Sequence, residues 1–517
     1  MTDYVQPFER FLGKRGLVMG LGVFGGGTES AKFLAGYCSH VVVTDLRGED
    51  VLRDSIDELR ALSIEYRLGE HREEDFRNAD VVIHSPAVRP DNRYLQIARE
   101  SGAEVTMEMS LFIEACPGRT VGVTGSNGKT TTALLAYEML CQVMWRAQPE
   151  LEGKWAEPPA STPATSGRVW LGGNCGEPLI NRLAEMSAED VVVLELSSFQ
   201  LQDWHRIRKS CDVSLITNIT PNHLDWHKDI AEYAWAKSAI YRYSPLEGAI
   251  FFDGPGTQPL VAERIASGST AWMVSESERE QYLSRGTGAG CFALIASERG
   301  QPVLCRVHQN GSMKAADVPF TPADLSLPGR FNWQNFLCAL ALVYAGLGQQ
   351  VGPTLKSLGG ARRFRGVEHR LEFCGEVHGA RCFNDSIATT PESTMAALSA
   401  FDTGVHLLLG GSDKGLGYGP MAAAIAAHPG VRGLYLQGAN LPQIKSALTD
   451  AHCAHPIHEF ATFDQACEAA FHAVKAGDVF LMSPASASFY EYAPNTRFTN
   501  FEHRGRHFKA LVKAHTT

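Results

Sequence analysis

Residues Val121-Gly122-Val123-Thr124-Gly125-Ser126-Asn127-Gly128-Lys129-Thr130-Thr131-Thr132 constrain the fold more than any other stretch of this 517-residue chain. An apolar strand runs into a glycine turn, and the turn opens a helix with Lys-Thr-Thr. That order of elements makes a phosphate cradle. Glycines let backbone N–H groups close on phosphate oxygens, and the helix N-terminus adds a favourable partial charge. Lys129 can reach the terminal phosphates and the Thr130 hydroxyl can ligate Mg2+, so ATP is the expected ligand. A standard loop of this kind has glycine five residues before Gly128. Val123 stands there, which makes this a shortened variant.

The remainder of the chain repeats the strand–turn–helix alternation. Gly16-Leu17-Val18-Met19, a glycine turn over 20–27, a helix through Leu34 and the strand Val41 to Asp45 form a βαβ unit. A strand at Asp80 to Ile83 follows, and Cys116-Pro117-Gly118 marks the first boundary. The strands Val191 to Leu194 and Ser214 to Thr217 place the phosphate loop in a second α/β domain. Past Phe364-Arg365-Gly366, strands at 404–409, 433–436 and 478–482 alternate with Ala-rich helical stretches, giving a third doubly wound unit. The expected architecture is α/β in three domains: a Rossmann-like domain at 1–117, a P-loop ATPase-like mixed α/β domain at 118–366 and a Rossmann-like domain at 367–517. A Pro/Ala/Ser/Thr-rich stretch between Trp145 and Trp170 reads as a mobile surface insertion.

Composition narrows the function classes. A net charge of −10 with a pI near 6.0 argues against a nucleic-acid partner, so anionic ligands have to be met by local basic groups. Twelve cysteines without CxxC pairs read as reduced thiols, not as a disulfide framework or a zinc site. No apolar run approaches the ~20 residues that span a bilayer, and Met1 to Arg15 lacks a signal-peptide core. A cytoplasmic protein, not inserted in a membrane, is expected.

Four further motifs carry chemistry. Gly20-Leu21-Gly22-Val23-Phe24-Gly25 matches GxGxxG, with Asp45 at the end of the following strand. On its own it fits a nicotinamide dinucleotide equally with another nucleotide diphosphate touched by Asp45 and Arg47. Glu195, at the end of the strand Val191 to Leu194, would be a surface residue or a cap in isolation. Beside a phosphate loop it becomes a Mg2+ ligand. His223, in Thr217-Asn218-Ile219-Thr220-Pro221-Asn222-His223, can ligate Mg2+ or orient a phosphate, whereas His227 reads as a hydrogen-bonded structural residue. Lys237 sits among apolar neighbours on a helix. It either snorkels to solvent or, if burial drives it neutral, reacts with CO2 to give a carbamate that serves as a metal ligand.

Taken together and in order, TGSNGKTTT, ELSSFQL, TNITPNHLDWH, the Lys237 helix, LPGRFNWQN, Glu368-His369-Arg370 and Asn384-Asp385-Ser386 resemble the Mur ligases. Within that family the chain is similar to the branch that adds glutamate to UDP-N-acetylmuramoyl-L-alanine in peptidoglycan precursor synthesis. The resemblance covers nearly all of the chain except the 145–170 insertion and parts of 267–316. It implies ATP, two Mg2+ ions and a carbamylated Lys237. Asn127, Gly128, Lys129, Thr130 and Thr131 would hold the ATP phosphates, and Thr130, Glu195, His223 and Lys237 the metal ions. Asn332 and Asn335 would lie near adenine and phosphates, and Arg370 and Asp385 would close on ATP. Gly22, Asp45, Leu46 and Arg47 would meet the uridine part, and Asn174 and Ser197 the muramoyl part. Thr389, Lys414, Ser488 and Phe489 would receive glutamate.

Two departures fall near the expected amino-acid pocket. Ile387 stands where the family often has lysine, and Ala493 to Arg497 is an insertion. The resemblance implies a monomeric ligase of three domains, holding UDP, ATP and glutamate in turn, which activates a carboxylate as an acyl phosphate. Lys129, His223 and Lys237 would be its catalytic residues, with D-glutamate as the amino acid and L-glutamate as the alternative. An NAD-dependent oxidoreductase and a non-catalytic nucleotide-binding regulator are the readings from other classes, and neither accounts for Glu195, His223 and Lys237 together.

Overall fold

The computed structural model describes residues 8–23, 25–144, 167–224, 226–244, 248–276, 292–296, 302–307, 313–413, 415–493 and 496–516. The chain divides into two compact units, one of Met1–Pro322 with Gln334–Arg362 and the other of Ala323–Trp333 with Arg363–Thr517.

The first unit holds two sheets. One has five parallel strands in the order Ile64–Leu68, His40–Asp45, Arg15–Met19, Val81–His84, Glu104–Thr106. Its three central strands carry apolar runs because both faces are covered. Val18, Val41, Val43, Val81 and Ile83 pack into one core cluster while Leu17, Met19, Val42, Val82 and Val105 pack into another, as side-chain alternation along a strand requires. Each such side chain removed from water contributes roughly 1.5–3 kcal/mol.

The second sheet runs Met313–Asp317, Pro302–Val307, Phe292–Ala296, Trp272–Ser275, Ala249–Phe252, Val213–Ile216, Arg119–Thr124, Val191–Glu195, Val169–Gly173. The seven strands from Phe292–Ala296 to Val169–Gly173 pair in parallel, and Pro302–Val307 runs antiparallel to both of its neighbours, Phe292–Ala296 and Met313–Asp317. Arg119–Thr124, which leads into the glycine loop, lies between Val191–Glu195 on one side and Val213–Ile216 on the other. The strand order therefore reverses at the loop, the position at the carboxyl ends of the strands where sheets of this kind bind ligands.

The second unit is built on the order Glu372–Val377, Ala380–Asn384, Val479–Met482, Val405–Leu409, Val431–Leu436, Ile457–Glu459, parallel except for the first pair. Leu407, Leu409, Leu434 and Leu481 face one core cluster, and Leu408, Tyr435, Phe480 and Met482 the other. The strands expected from sequence thus form within a residue or two of their expected ends. The first helix, Gly26–Tyr37, runs past Leu34. Most of the 145–170 stretch lies outside the described residues.

Candidate active site

The glycine loop is fastened to the neighbouring strand end by its own backbone. Ser126 N–H donates to Asn218 O (2.9 Å), and Asn127 N–H donates to Asn218 Oδ1 (2.9 Å). Thr217 Oγ1 and Asn218 Nδ2 donate to Asn127 O at 2.7 and 3.0 Å. Gly125 has φ +148°, and a Cβ there would lie 2.0 Å from Thr217 Oγ1. Gly128 has φ +81°, and its Cβ would lie 2.3 Å from Asn335 Oδ1. Both glycines are therefore dictated by backbone conformation and by close approach. The helix Lys129–Met144 begins directly after them. Lys129 Nζ donates to Gly125 O and Ser126 O, each at 3.1 Å, which holds the ammonium over the loop.

Two buried side chains converge on the same strand ends. Glu195 is level with Val123 across the pairing of Arg119–Thr124 with Val191–Glu195. Its Oε1 accepts from Asn174 Nδ2 (3.0 Å), while Oε2, also buried, has no hydrogen-bond partner among the described residues. Burial, followed by the Glu195 charge, pushes the Cys175 thiol well above its ordinary value, so that neighbour stays protonated. A buried carboxylate oxygen left open beside a phosphate cradle suits a hard divalent cation such as Mg2+.

Lys237, on the helix Ile230–Arg242, is 1% exposed. Its Nζ donates to Thr124 Oγ1 (3.2 Å) and stands 4.6 Å from the centre of the Tyr233 ring. The Thr124 hydroxyl proton goes to Leu196 O (2.7 Å), leaving its oxygen to accept. Burial, then the charge of Lys129, lowers the Lys237 pKa well below the ordinary lysine value, against the attraction of Glu195. The side chain does not snorkel, and a neutral amine is the form that can react as a nucleophile.

His223 has φ +53° and is exposed, with its ring 5.0 Å from that of Phe199. His227 is buried, and its Nε2 shares a 2.9 Å hydrogen bond with Ser198 Oγ. Burial lowers the His227 pKa. Ser197 is the N-cap of the helix Ser198–Ile207 in a capping box with Gln200, and Asn174 is exposed at the end of Val169–Gly173. The Ser-x-x-Gln spacing signals that cap in the sequence. Thr130 is half-buried at the start of the loop helix, and Thr131 is buried behind it.

At the GxGxxG turn, the Asp45 carboxylate accepts from Gly22 N–H (3.1 Å), Arg47 N–H (2.9 Å), Arg47 Nε (3.0 Å) and Arg47 Nη2 (2.9 Å). Burial works to raise its pKa, but the hydrogen bonds and charge of Arg47 outweigh it and hold the group below the usual carboxylate range. Four donors fill the acceptor sites of a carboxylate. Asp45 therefore shapes the Gly22 turn and orients Arg47, and it keeps no free lone pair for the ribose hydroxyl that a dinucleotide would present. Leu46 is exposed beside it.

In the second unit, Asn384, Asp385 and Ser386 are all buried. Asp385 accepts from Ser483 Oγ (2.7 Å) and Leu371 N–H (3.2 Å), and burial raises its pKa to about 7. Arg370, half-buried, lies between His369 and Leu371, whose φ values are +64° and +43°. Thr389 is half-buried, Ser488 buried, and Ile387 and Phe489 exposed, on the loops that follow Ala380–Asn384 and Val479–Met482. Lys414 lies outside the described residues, as do 494 and 495 of the 493–497 insertion. Asn332 and Asn335 are both buried on the helix Arg330–Gly346. Glu368, His369 and Glu372 offer a cluster of possible metal ligands, but Lys509 Nζ pairs with Glu372 (2.5 Å) and Glu368 (3.2 Å).

A glycine cradle at a strand-order reversal, flanked by a buried acid and a buried lysine, defines a nucleotide-phosphate-binding α/β enzyme. Three family models match the chain: the MurD-like N-terminal domain of Mur ligases over residues 14–107, the Mur ligase middle domain over 123–343, and the Mur ligase glutamate ligase domain over 369–486. Similar curated proteins include the UDP-N-acetylmuramoylalanine–D-glutamate ligase of Roseiflexus sp. strain RS-1. It is 37% identical over 508 residues, covering 98% of this chain and 99% of that one. The same-named enzyme of Acetivibrio thermocellus is 33% identical, covering 97% and 96%. That of Clostridium tetani is 32% identical, covering 99% and 100%. Among solved structures, the UDP-N-acetylmuramate-alanine ligase of Thermotoga maritima shares the fold at TM-score 0.50 and 18% identity, over 97% of this chain and 99% of that chain. The chain belongs to the Mur ligase family.

Proposed function

We propose that the chain joins D-glutamate to UDP-N-acetylmuramoyl-L-alanine at the expense of ATP, through an acyl phosphate, in peptidoglycan precursor synthesis. The observation that carries this reading is the near-end-to-end likeness to curated D-glutamate ligases at 32–37% identity. A free carboxylate does not form an amide at neutral pH without activation. The alanyl carboxylate attacks the γ-phosphate of ATP in line, and the amine of glutamate then attacks the acyl carbon and expels phosphate.

The chain's own groups meet the charge that develops. Lys129 and the N–H groups at the start of the helix Lys129–Met144 offset charge on the transferring phosphoryl group. Thr130 and Glu195 would hold Mg2+, with Glu195 Oε2 as the open acceptor, and His223 would complete the set. The ion, when bound, supplies Lewis acidity at the phosphoryl oxygens. Lys237, whose charged form burial disfavours and whose Nζ meets Thr124 Oγ1, would be carbamylated and so present an oxygen ligand in place of an amine. Arg47 and the Gly22 turn would take the uridine diphosphate. Thr389, Lys414, Ser488 and Phe489 would take glutamate, and Arg370 the nucleotide. We further take the enzyme to work as a cytoplasmic monomer.

The test is phosphate release from ATP in the presence of UDP-N-acetylmuramoyl-L-alanine and each glutamate enantiomer in turn. Release that depends on D-glutamate is expected. A preference for L-glutamate overturns the stereochemical part, and release that ignores both enantiomers overturns the ligase reading.

A further inference from the structure

Arg504 is fully buried within the second unit, on the helix Phe501–His515. A guanidinium withdrawn from water normally has a carboxylate partner. Among the described residues no carboxylate comes within ion-pair distance of it; Tyr490 meets it through a side-chain hydrogen bond, and Asp385 acts on it only through its charge. Its donors go to the chain around two loops instead. Nε donates to Ser386 Oγ (3.0 Å), Nη2 to Ser386 O (2.8 Å) and Nη1 to Ala487 O (3.4 Å). Ser386 Oγ in turn donates to Phe501 O (2.7 Å), at the start of the same helix. Gly505 allows the helix to press this close, since a Cβ there would lie 2.1 Å from His369 Nδ1.

The two loops so joined leave neighbouring parallel strands, with Asn384 level with Met482. One loop carries Ile387 and Thr389, and the other carries Ser488 and Phe489. Both loops lie at the carboxyl ends of their strands, where α/β sheets bind ligands. On the first of these loops the exposed Ile387 side chain offers no charge and no hydrogen bond to an amino acid with two carboxylates.

We propose that Arg504 is a positioning residue for the amino-acid substrate. Its planar fork ties loop 386–389 to loop 486–489 and fixes the separation of Thr389 from Ser488, while its charge lies buried between the two loops. The inference rests on the reading that glutamate binds at these loops. Lysine cannot replace it, because a single ammonium lacks the fixed fork that reaches both loops at once.

The experiment uses the full chain with Arg504→Ala, Arg504→Lys and Ser386→Ala. Phosphate release is measured against D-glutamate and against ATP. Acyl phosphate is trapped with borohydride in the absence of glutamate, and thermal unfolding reports on folding. Arg504→Ala is expected to raise the KM for D-glutamate about ten-fold or more, and Arg504→Lys to do nearly as much. The KM for ATP and the yield of trapped acyl phosphate should hold within about two-fold, a split that general loss of structure does not produce. Guanidinium ion at millimolar concentration should restore part of the glutamate affinity of Arg504→Ala. Should that variant fail to fold, Ser386→Ala carries the test, with an expected rise of about three-fold in the glutamate KM alone. Glutamate and ATP constants that rise together, or a glutamate KM that stays put in folded variants, overturn the proposal while the ligase reading stands. Absence of glutamate-dependent release from the unmodified protein sinks both.

Discussion

Replacing Gly125 by alanine tests the phosphate loop at the point where its shape is most tightly fixed. At φ +148° an L-residue costs about 1–3 kcal/mol in backbone strain. The added Cβ would also lie 2.0 Å from Thr217 Oγ1 and 3.0 Å from both N and O of Asn218. Thr217 Oγ1 cannot swing aside freely, because it donates to Asn127 O (2.7 Å), and the Asn218 atoms belong to the backbone. Overpacking of this kind adds about 1–3 kcal/mol, for a total of roughly 2–6 kcal/mol. The loop relieves that by moving away from Asn218, which withdraws the N–H groups meant for phosphate. Gly102→Ala is the matched control, with φ +88° and nothing within 4 Å of its added Cβ. Thermal unfolding and ATP-dependent phosphate release would be measured on both variants. Gly125→Ala should lose about 10²-fold or more in kcat/KM for ATP, and Gly102→Ala should lose only stability. Ordinary ATP kinetics in Gly125→Ala would refute the claim that this turn is the cradle.

Lys237→Ala should lose activity and regain part of it with added short carboxylic acids, whereas Lys237→Arg should not recover; full activity in Lys237→Arg removes the carbamate role. Asp45→Ala releases Gly22 N–H and Arg47 together, so the KM for the UDP-sugar should rise about ten-fold with the KM for ATP unmoved. Fluorescence-detected NADH binding that Asp45→Ala abolishes would reverse that conclusion. Asp385 titrates at about 7 in the folded chain against 3.8 for the free side chain. The folded state then binds the extra proton, so its contribution to stability falls as pH rises from about 4 to 7. Asp385→Asn should flatten that part of the stability curve. Denaturant titrations giving parallel pH curves for the two proteins would exclude the effect.

The phosphate loop was legible because its constraints are local: Gly125 and Gly128 mark backbone angles that few other residues adopt, and the Lys-Thr-Thr start of the helix follows directly. The strand alternation was legible because strands covered on both faces, such as Val41 to Val43, read as unbroken apolar runs. Other features depend on partners far away in sequence. Nothing local indicates that Thr124 supplies the acceptor for Lys237, or that Asp45 spends its carboxylate on Gly22 and Arg47. The antiparallel strands Pro302–Val307 and Met313–Asp317 lie beyond the regular βα pattern that guided the sequence reading. Arg504 was missed because a basic residue in Arg-Gly-Arg-His reads as a solvated face. Only the covering of that helix by Ser386 and Ala487 shows otherwise.

The parallel order of the central sheet also bears on where foreign sequence can be spliced in. The helix Lys129–Met144 starts at the phosphate-loop edge, so it ends at the opposite edge, where Val169–Gly173 begins. The two anchors meet there, since a Cβ on Gly167 would lie 3.1 Å from Met144 Cε. A segment hung between neighbouring anchors closes a loop whose entropic cost grows by only about 0.6 kcal/mol for each doubling of length. The Met144 to Gly167 junction is thus a natural port for a reporter domain or an affinity handle, on the side of the sheet that faces away from the nucleotide.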